Sequence, residues 1–215
     1  MAQPVLLNVR GQATAEVPPD YAWMVIEVSA SDADRSVALR RTERDAAGLR
    51  SVLEGAVGVR RLVLTRVRVH EETRWNQATG THDHLGWRAH VSGRLEVDVD
   101  RVAGVAEAVV AAHASIGGMS WFLDENNPAY REVRRAAVAD AFRAAADFAD
   151  ALHRDLGPLR TLADPGLLGG DGRDDRPVGR AMMAGVAMDA GPPEFEYDPE
   201  PQTVSAAVEA TFEVT

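Results

Sequence analysis

The end of the chain alternates without a fault. Val204, Ala206, Val208, Ala210, Phe212 and Val214 fall on one side, and Ser205, Glu209, Thr211 and Glu213 on the other. That pattern predicts a long strand with one buried and one wet face. Trp87–Val99 repeats it, with Trp87, Ala89, Val91, Leu95, Val97 and Val99 opposed to Arg88, His90, Ser92, Arg94, Glu96 and Asp98. Two such strands imply an antiparallel sheet covered on one side only.

Earlier in the chain, Val5–Val17 and Ala22–Ala30 read as strands joined at Pro18-Pro19-Asp20, a turn signal. The cluster Ser31-Asp32-Ala33-Asp34 supplies caps for a helix from Ser36 to Glu54, whose apolar positions are Ala38, Thr42, Ala46, Leu49, Val52 and Leu53. Leu62–Glu71 returns to strand, and a polar loop around Asn76–Asp83 leads into Trp87–Val99. A short helix after Asp100 ends at Gly117-Gly118, before a strand over Met119–Leu123.

The longest predicted element is a helix with Asn127 at its N-cap, Pro128 at its first turn and Gly157-Pro158 at its stop. Its expected stripe mixes Tyr130, Phe142, Phe148, Leu152 and Leu156 with Val133 and the alanines 137, 141, 145 and 149. Such a rod would be roughly 45 Å long. A short strand over Leu159–Ala163 follows, then a Gly-, Pro-, Asp- and Met-rich loop over residues 166–201 with no sustained period.

The expected fold class is α+β: antiparallel sheet layers, essentially a single sheet, with helices packed on one face and one long helix in the C-terminal half. The chain is expected to form one domain built of two closely joined α+β halves, about 1–75 with 203–215 and about 76–165.

Composition narrows the functional classes. The net charge of −10 argues against sequence-independent nucleic-acid binding and against an anionic membrane surface. All 23 basic residues are arginine. With no cysteine, disulfides, thiolate catalysis and Cys-based zinc sites are excluded. No stretch approaches the roughly 20 apolar residues of a membrane-spanning helix. The first residues lack a basic segment followed by an apolar one, so the expected location is cytoplasmic, or periplasmic or exported if a leader has been removed.

The run Val9-x-Gly11-x-Ala13-x-Ala15-x-Val17-Pro18-x-Asp20 comes first, followed by an alternating strand and an alanine-rich helix. With the hairpin ending at Val99, the Gly-Met-Ser-Trp-Phe-Leu strand, the long helix and the closing strand Val204–Val214, it resembles the SIMPL-domain family across essentially the whole chain. That family has long been catalogued as a domain of unknown function, and it includes periplasmic oxidative-stress-defence proteins and a periplasmic immunogenic protein. The resemblance implies a two-part α+β fold and a tendency to form large homo-oligomers. It supplies no catalytic residues. Many relatives carry a signal peptide, and this chain shows none.

Candidate chemistry is sparse. His82 and His84, with His70 and His90 nearby, are the residues of a type that binds zinc-like ions, weighed against plain solvated histidines. Asp171, Asp174 and Asp175 lack the spacing and closing glutamate of a calcium loop. Ser115 and Ser120 lack a nucleophile-elbow context, and His113 falls in the short helix. Met182, Met183 and Met188, with Phe195 and Tyr197 in an acidic, proline-stiffened strip, are candidates for subunit or partner contact, weighed against packing on their own domain.

The residues and the resemblance together describe a non-enzymatic, self-assembling protein without catalytic residues, metal or cofactor. Its expected partner is itself, with room for an unidentified protein partner, and with no nucleic acid and no membrane insertion. The alternative is a ligand-, peptide- or metal-binding module without higher assembly, in which Arg66, Arg68, Arg88 and Arg94 hold an anionic group. A role in stress defence or scaffolding is what the resemblance implies.

Overall fold

The computed structural model describes residues 5–167 and 198–215. Among these it contains eight strands, three α-helices and one short 3-10 turn. The fold is α+β, as the alternation predicts, but its strands form two antiparallel sheets rather than one. The chain divides into two compact units. Of the described residues, one unit comprises 5–18, 124–167 and 201–215; the other centres on Pro19–Leu123. Their boundaries fall at Pro18/Pro19 and Leu123/Asp124. The Pro18-Pro19-Asp20 link closes no hairpin. It carries the chain from one sheet to the other.

In the first unit, β1 (Val5–Val17) and β7 (Leu156–Ala163) flank β8 (Gln202–Val214). β1 and β8 pair in one unbroken register from Val5↔Val214 to Val17↔Gln202, so their apolar positions share a face. Helix α3 (Ala129–Ala151) lies on that face. Asn127 Oδ1 accepts a hydrogen bond from Ala129 N at 2.9 Å and so caps the helix start. The helix stops well short of Gly157, because His153 turns to φ 53° and closes it. At 23 residues α3 is about 35 Å long.

The buried stripe of α3 is Ala129, Val133, Ala137, Ala141, Ala145 and Ala149, with no aromatic in it. Phe142, Phe148 and Leu152, expected in that stripe, are exposed. The reason is close approach. Gly11 on β1 faces the helix so tightly that a Cβ there would run into the carbonyl oxygen of Ala137 and the backbone nitrogen of Ala141. Only alanine fits at that separation. The core of this unit is accordingly made of small residues, and among the described residues Phe212 is its one large, fully buried side chain.

In the second unit the sheet order is β3-β5-β2-β6, with β4 also pairing β5. The strands are β2 (Tyr21–Asp32), β3 (Val59–Leu64), β4 (Arg68–Asn76), β5 (Thr81–Asp98) and β6 (Ala114–Phe122). Helices α1 (Arg35–Leu53) and α2 (Val102–Ala111) cover one face. Met24, Ile26, Val28, Val91, Leu95 and Val97 meet Leu49, Leu53, Val105 and Val109 in a single core. The predicted strand over Leu62–Glu71 is broken at Thr65–Val67, where Thr65 Oγ1 donates to the Ser92 carbonyl at 2.8 Å and bridges the gap. His113 lies past the end of α2, at φ 60°, not within the helix.

α1 starts where its cap predicts. Asp34 Oδ1 accepts from Ser36 N at 2.7 Å and Val37 N at 3.1 Å. The Ser36 hydroxyl, then the backbone N–H groups of Val37 and Ser36, hold this carboxyl below the usual aspartate range. Thr42, fully buried, satisfies itself by donating to the Ala89 carbonyl at 3.1 Å. Gly48 sits exposed inside α1, and a Cβ there meets nothing within 4 Å. Replacing Gly48 with alanine should therefore raise stability by about 0.5–1 kcal/mol in urea denaturation, the helix-interior difference between the two residues.

Candidate functional site

The second unit's helices cover one face of its sheet and leave the other open. Register fixes the open face row by row. Tyr21, Trp23, Val25, Glu27, Ser29 and Ser31 of β2 stand opposite Asp98, Glu96, Arg94, Ser92, His90 and Arg88 of β5. Phe122, Ser120 and Gly118 of β6 extend the first three rows on one side. Arg61 and Val63 of β3 extend the Glu96 and Arg94 rows on the other, and Arg68 and His70 of β4 extend the His90 and Arg88 rows.

At one end of this face the aromatics form a cluster. Phe122 stacks on Tyr21 at 5.6 Å and tilts against Trp23 at 4.7 Å between centroids. Arginines close over it: the Arg60 guanidinium lies 4.7 Å from the Tyr21 ring and that of Arg94 4.2 Å from the Trp23 ring. Arg60 also pairs with Asp98 at 2.5 Å. The Trp23 indole N–H is buried and has no acceptor among the described residues. Sequence reasoning missed Tyr21, Trp23, Phe122 and Arg60. The available signal was Trp23, an indole at an outward position of an alternating strand.

The four arginines proposed for an anion behave differently. Arg88 donates from Nε to Glu72 at 2.7 Å. That guanidinium, then the Ser31 hydroxyl, hold the Glu72 carboxyl below the ordinary glutamate range. Arg94 lies on Trp23 between the cross-strand neighbours Val25 and Val63, which are 49% and 46% exposed. Among the described residues Arg66, Arg68 and Arg94 form no ion pair. Arg68 shares the open face with Arg94, while Arg66 sits in the β3–β4 link.

The histidines are split by a β-bulge. His82 and His84 lie in strand β5, not in a polar loop, because the β4–β5 hairpin turns within residues 77–80. The register shifts between Glu72 and Thr73, which moves His82 and His84 to the face away from His70 and His90. On that side His84 Nδ1 lies 2.6 Å from Glu71 Oε1, and His82 packs edge-on to Trp75 at 5.1 Å. On the open face His70 and His90 meet at 5.4 Å between ring centroids. Among the described residues no three His, Asp or Glu converge where a metal ion could be held. Ser115 donates to the Glu27 carbonyl at 3.3 Å, and Ser120 stands opposite Trp23; both lie in β6. Asp171, Asp174, Asp175, Met182, Met183, Met188, Phe195 and Tyr197 lie outside the described residues.

The first unit carries a second exposed feature. Leu159 and Leu162 of β7 pair with Phe212 and Ala210, so they share the face on which α3 sits. α3 lies chiefly over β1 and β8. Leu159 is 37% and Leu162 46% exposed, and Phe142 packs edge-on to Phe212 at 4.9 Å while remaining 43% exposed. β7 is an outer strand of this sheet.

These features define an α+β protein of two antiparallel sheets, one with α3 and the other with α1 and α2 on one face, and with an arginine–aromatic surface on the larger sheet. The chain belongs to the SIMPL family, described as a protein of unknown function (DUF541), which matches residues 7–212. No curated protein matches the chain. No helix among the described residues is long and apolar enough to cross a membrane.

Proposed function

We propose that this SIMPL protein is non-enzymatic and works by associating with copies of itself, through the uncovered part of the first unit's sheet. One observation carries the reading: Phe142, Leu159 and Leu162 form an exposed apolar strip beside an outer strand. An outer strand offers unpaired N–H and C=O groups, and pairing with a second copy would satisfy them while burying the leucines. Arg160, the strand's one charged residue, is turned to Glu213 at 2.6 Å, and Pro158 with the register shifts on either side of Leu159 confines such pairing to the end of the strand beyond them.

The surface features favour contact over chemistry. A groove of about 480 Å³ between α1 and the β3–β4 link is open to solvent, with Ala46, Leu64 and Val91 in its floor and Glu43, Arg50 and Glu54 along its rim. Among the described residues neither hydroxyl of its lining, Ser51 or Thr65, is hydrogen-bonded to Glu43 or Glu54. Stress defence or scaffolding fits a protein whose working part is an assembled surface. Sedimentation velocity over a range of micromolar concentrations tests the reading. Species larger than one chain are expected, and a single monomer peak throughout would overturn it.

A further inference from the structure

We infer that the open face of the second unit's sheet is a docking site for an acidic polypeptide segment of a partner protein, centred on Arg94 and Trp23. This face belongs to the second unit, whereas self-association uses the first, so either can hold without the other.

Charge complementarity identifies the occupant. The whole chain carries −10, yet the open face holds Arg60, Arg61, Arg68, Arg88 and Arg94 against Glu27, Glu72, Glu96 and Asp98, with His70 and His90 besides. Three of those carboxylates are engaged: Glu72 by Arg88, Asp98 by Arg60, and Glu96 by Arg61 at 3.9 Å. Glu27 stands opposite Ser92, one row from Arg94, and makes no ion pair with it. Arg94 and Arg68 are thus guanidiniums without a carboxylate partner among the described residues.

The surroundings of Arg94 suit a carboxylate on a peptide more than a free ion. The Trp23 ring beneath it fixes the plane of the guanidinium, which favours two-point recognition of a carboxylate. Val25 and Val63 on either side give apolar contact to the stem of a glutamate. Arg68 stands opposite His90, four residues along β5 from Arg94, which is about 13 Å at strand spacing. An extended segment with acidic residues four apart presents both to one side at that same spacing. The structure therefore favours an acid-x-x-x-acid pattern in an extended chain.

The test uses the full chain and two fluorescein-labelled decapeptides, one with glutamates four apart on a Ser/Leu background and one with glutamines in their place. The glutamate peptide should bind by fluorescence polarisation, weaken with added salt, and bind Arg94→Gln about ten-fold or more weakly, as loss of a charge-assisted contact implies. Arg135→Gln, an exposed arginine of α3, should bind like the wild type. The melting temperature of each variant checks that it is folded. Equal binding of both peptides, no binding at all, or equal losses from Arg94→Gln and Arg135→Gln would overturn the site. So would a change in the chain's assembled mass with Arg94→Gln, which would make the face a contact between copies.

Discussion

Gly11→Ala is expected to cost about 3 kcal/mol or more of stability, toward the upper end of what one added methyl does in a packed core. The added carbon would meet backbone atoms of Ala137 and Ala141, and also the Ala141 Cβ at 2.7 Å. Backbone inside a helix cannot swing aside as the tip of a flexible side chain can. Relief would need α3 to lift from β1, and lifting exposes the alanine stripe along its length. Because folded domains are stable by only about 5–15 kcal/mol, the variant should unfold at distinctly lower urea, with the loss seen in probes of the first unit. Gly48→Ala adds the same methyl where nothing lies within reach, so its opposite sign separates the steric effect from any general intolerance of glycine replacement.

Phe212→Ala should be comparably severe, about 3–5 kcal/mol by the same measurement. Phe212 is fully buried among Val9, Val208, Ala210 and the alanines of α3. Those neighbours are short, and the valines are stiff at χ1, so they cannot collapse into the space a phenyl ring leaves. The ring also holds Phe142 edge-on at 4.9 Å, and alanine offers no ring for Phe142 to meet. Phe212→Leu should recover part of the loss, since it restores apolar volume without the ring geometry. A Phe212→Ala variant as stable as the wild type would show that the small-residue core does not depend on its one large side chain.

Much of the fold was legible because strand alternation reports a face directly. Val204 to Val214 and Ala89 to Val97 point inward as the pattern predicts, and Ala38, Thr42, Ala46, Leu49 and Leu53 line the buried side of α1. Alternation does not report a partner. β1 and β2 both read as strands around a turn, yet β1 pairs with β8 at the far end of the chain. The composition of the α3 stripe was hidden for a related reason. Phe142, Phe148 and Leu152 are apolar and nearly in phase with the alanines, and only the nearness of Gly11 decides that the aromatics must stay out.

The surface was less legible than the core. His82 and His84 looked like loop residues because the ribbon carrying them reaches past β2 and buries neither face, which leaves no period to read. The bulge that separates them from His70 and His90 has no signature in residue type. Arg94 was visible as an outward arginine, but its seat on Trp23 depends on the β2–β5 register, which only the paired strands supply.

The most direct measurement is light scattering on the wild type beside a Leu159→Arg, Leu162→Glu double variant, with melting curves for both. Self-association through β7 predicts a wild-type mass above one chain, and a variant that melts like the wild type but weighs one chain. A wild type of single-chain mass, or a folded variant with undiminished assembly, would contradict it.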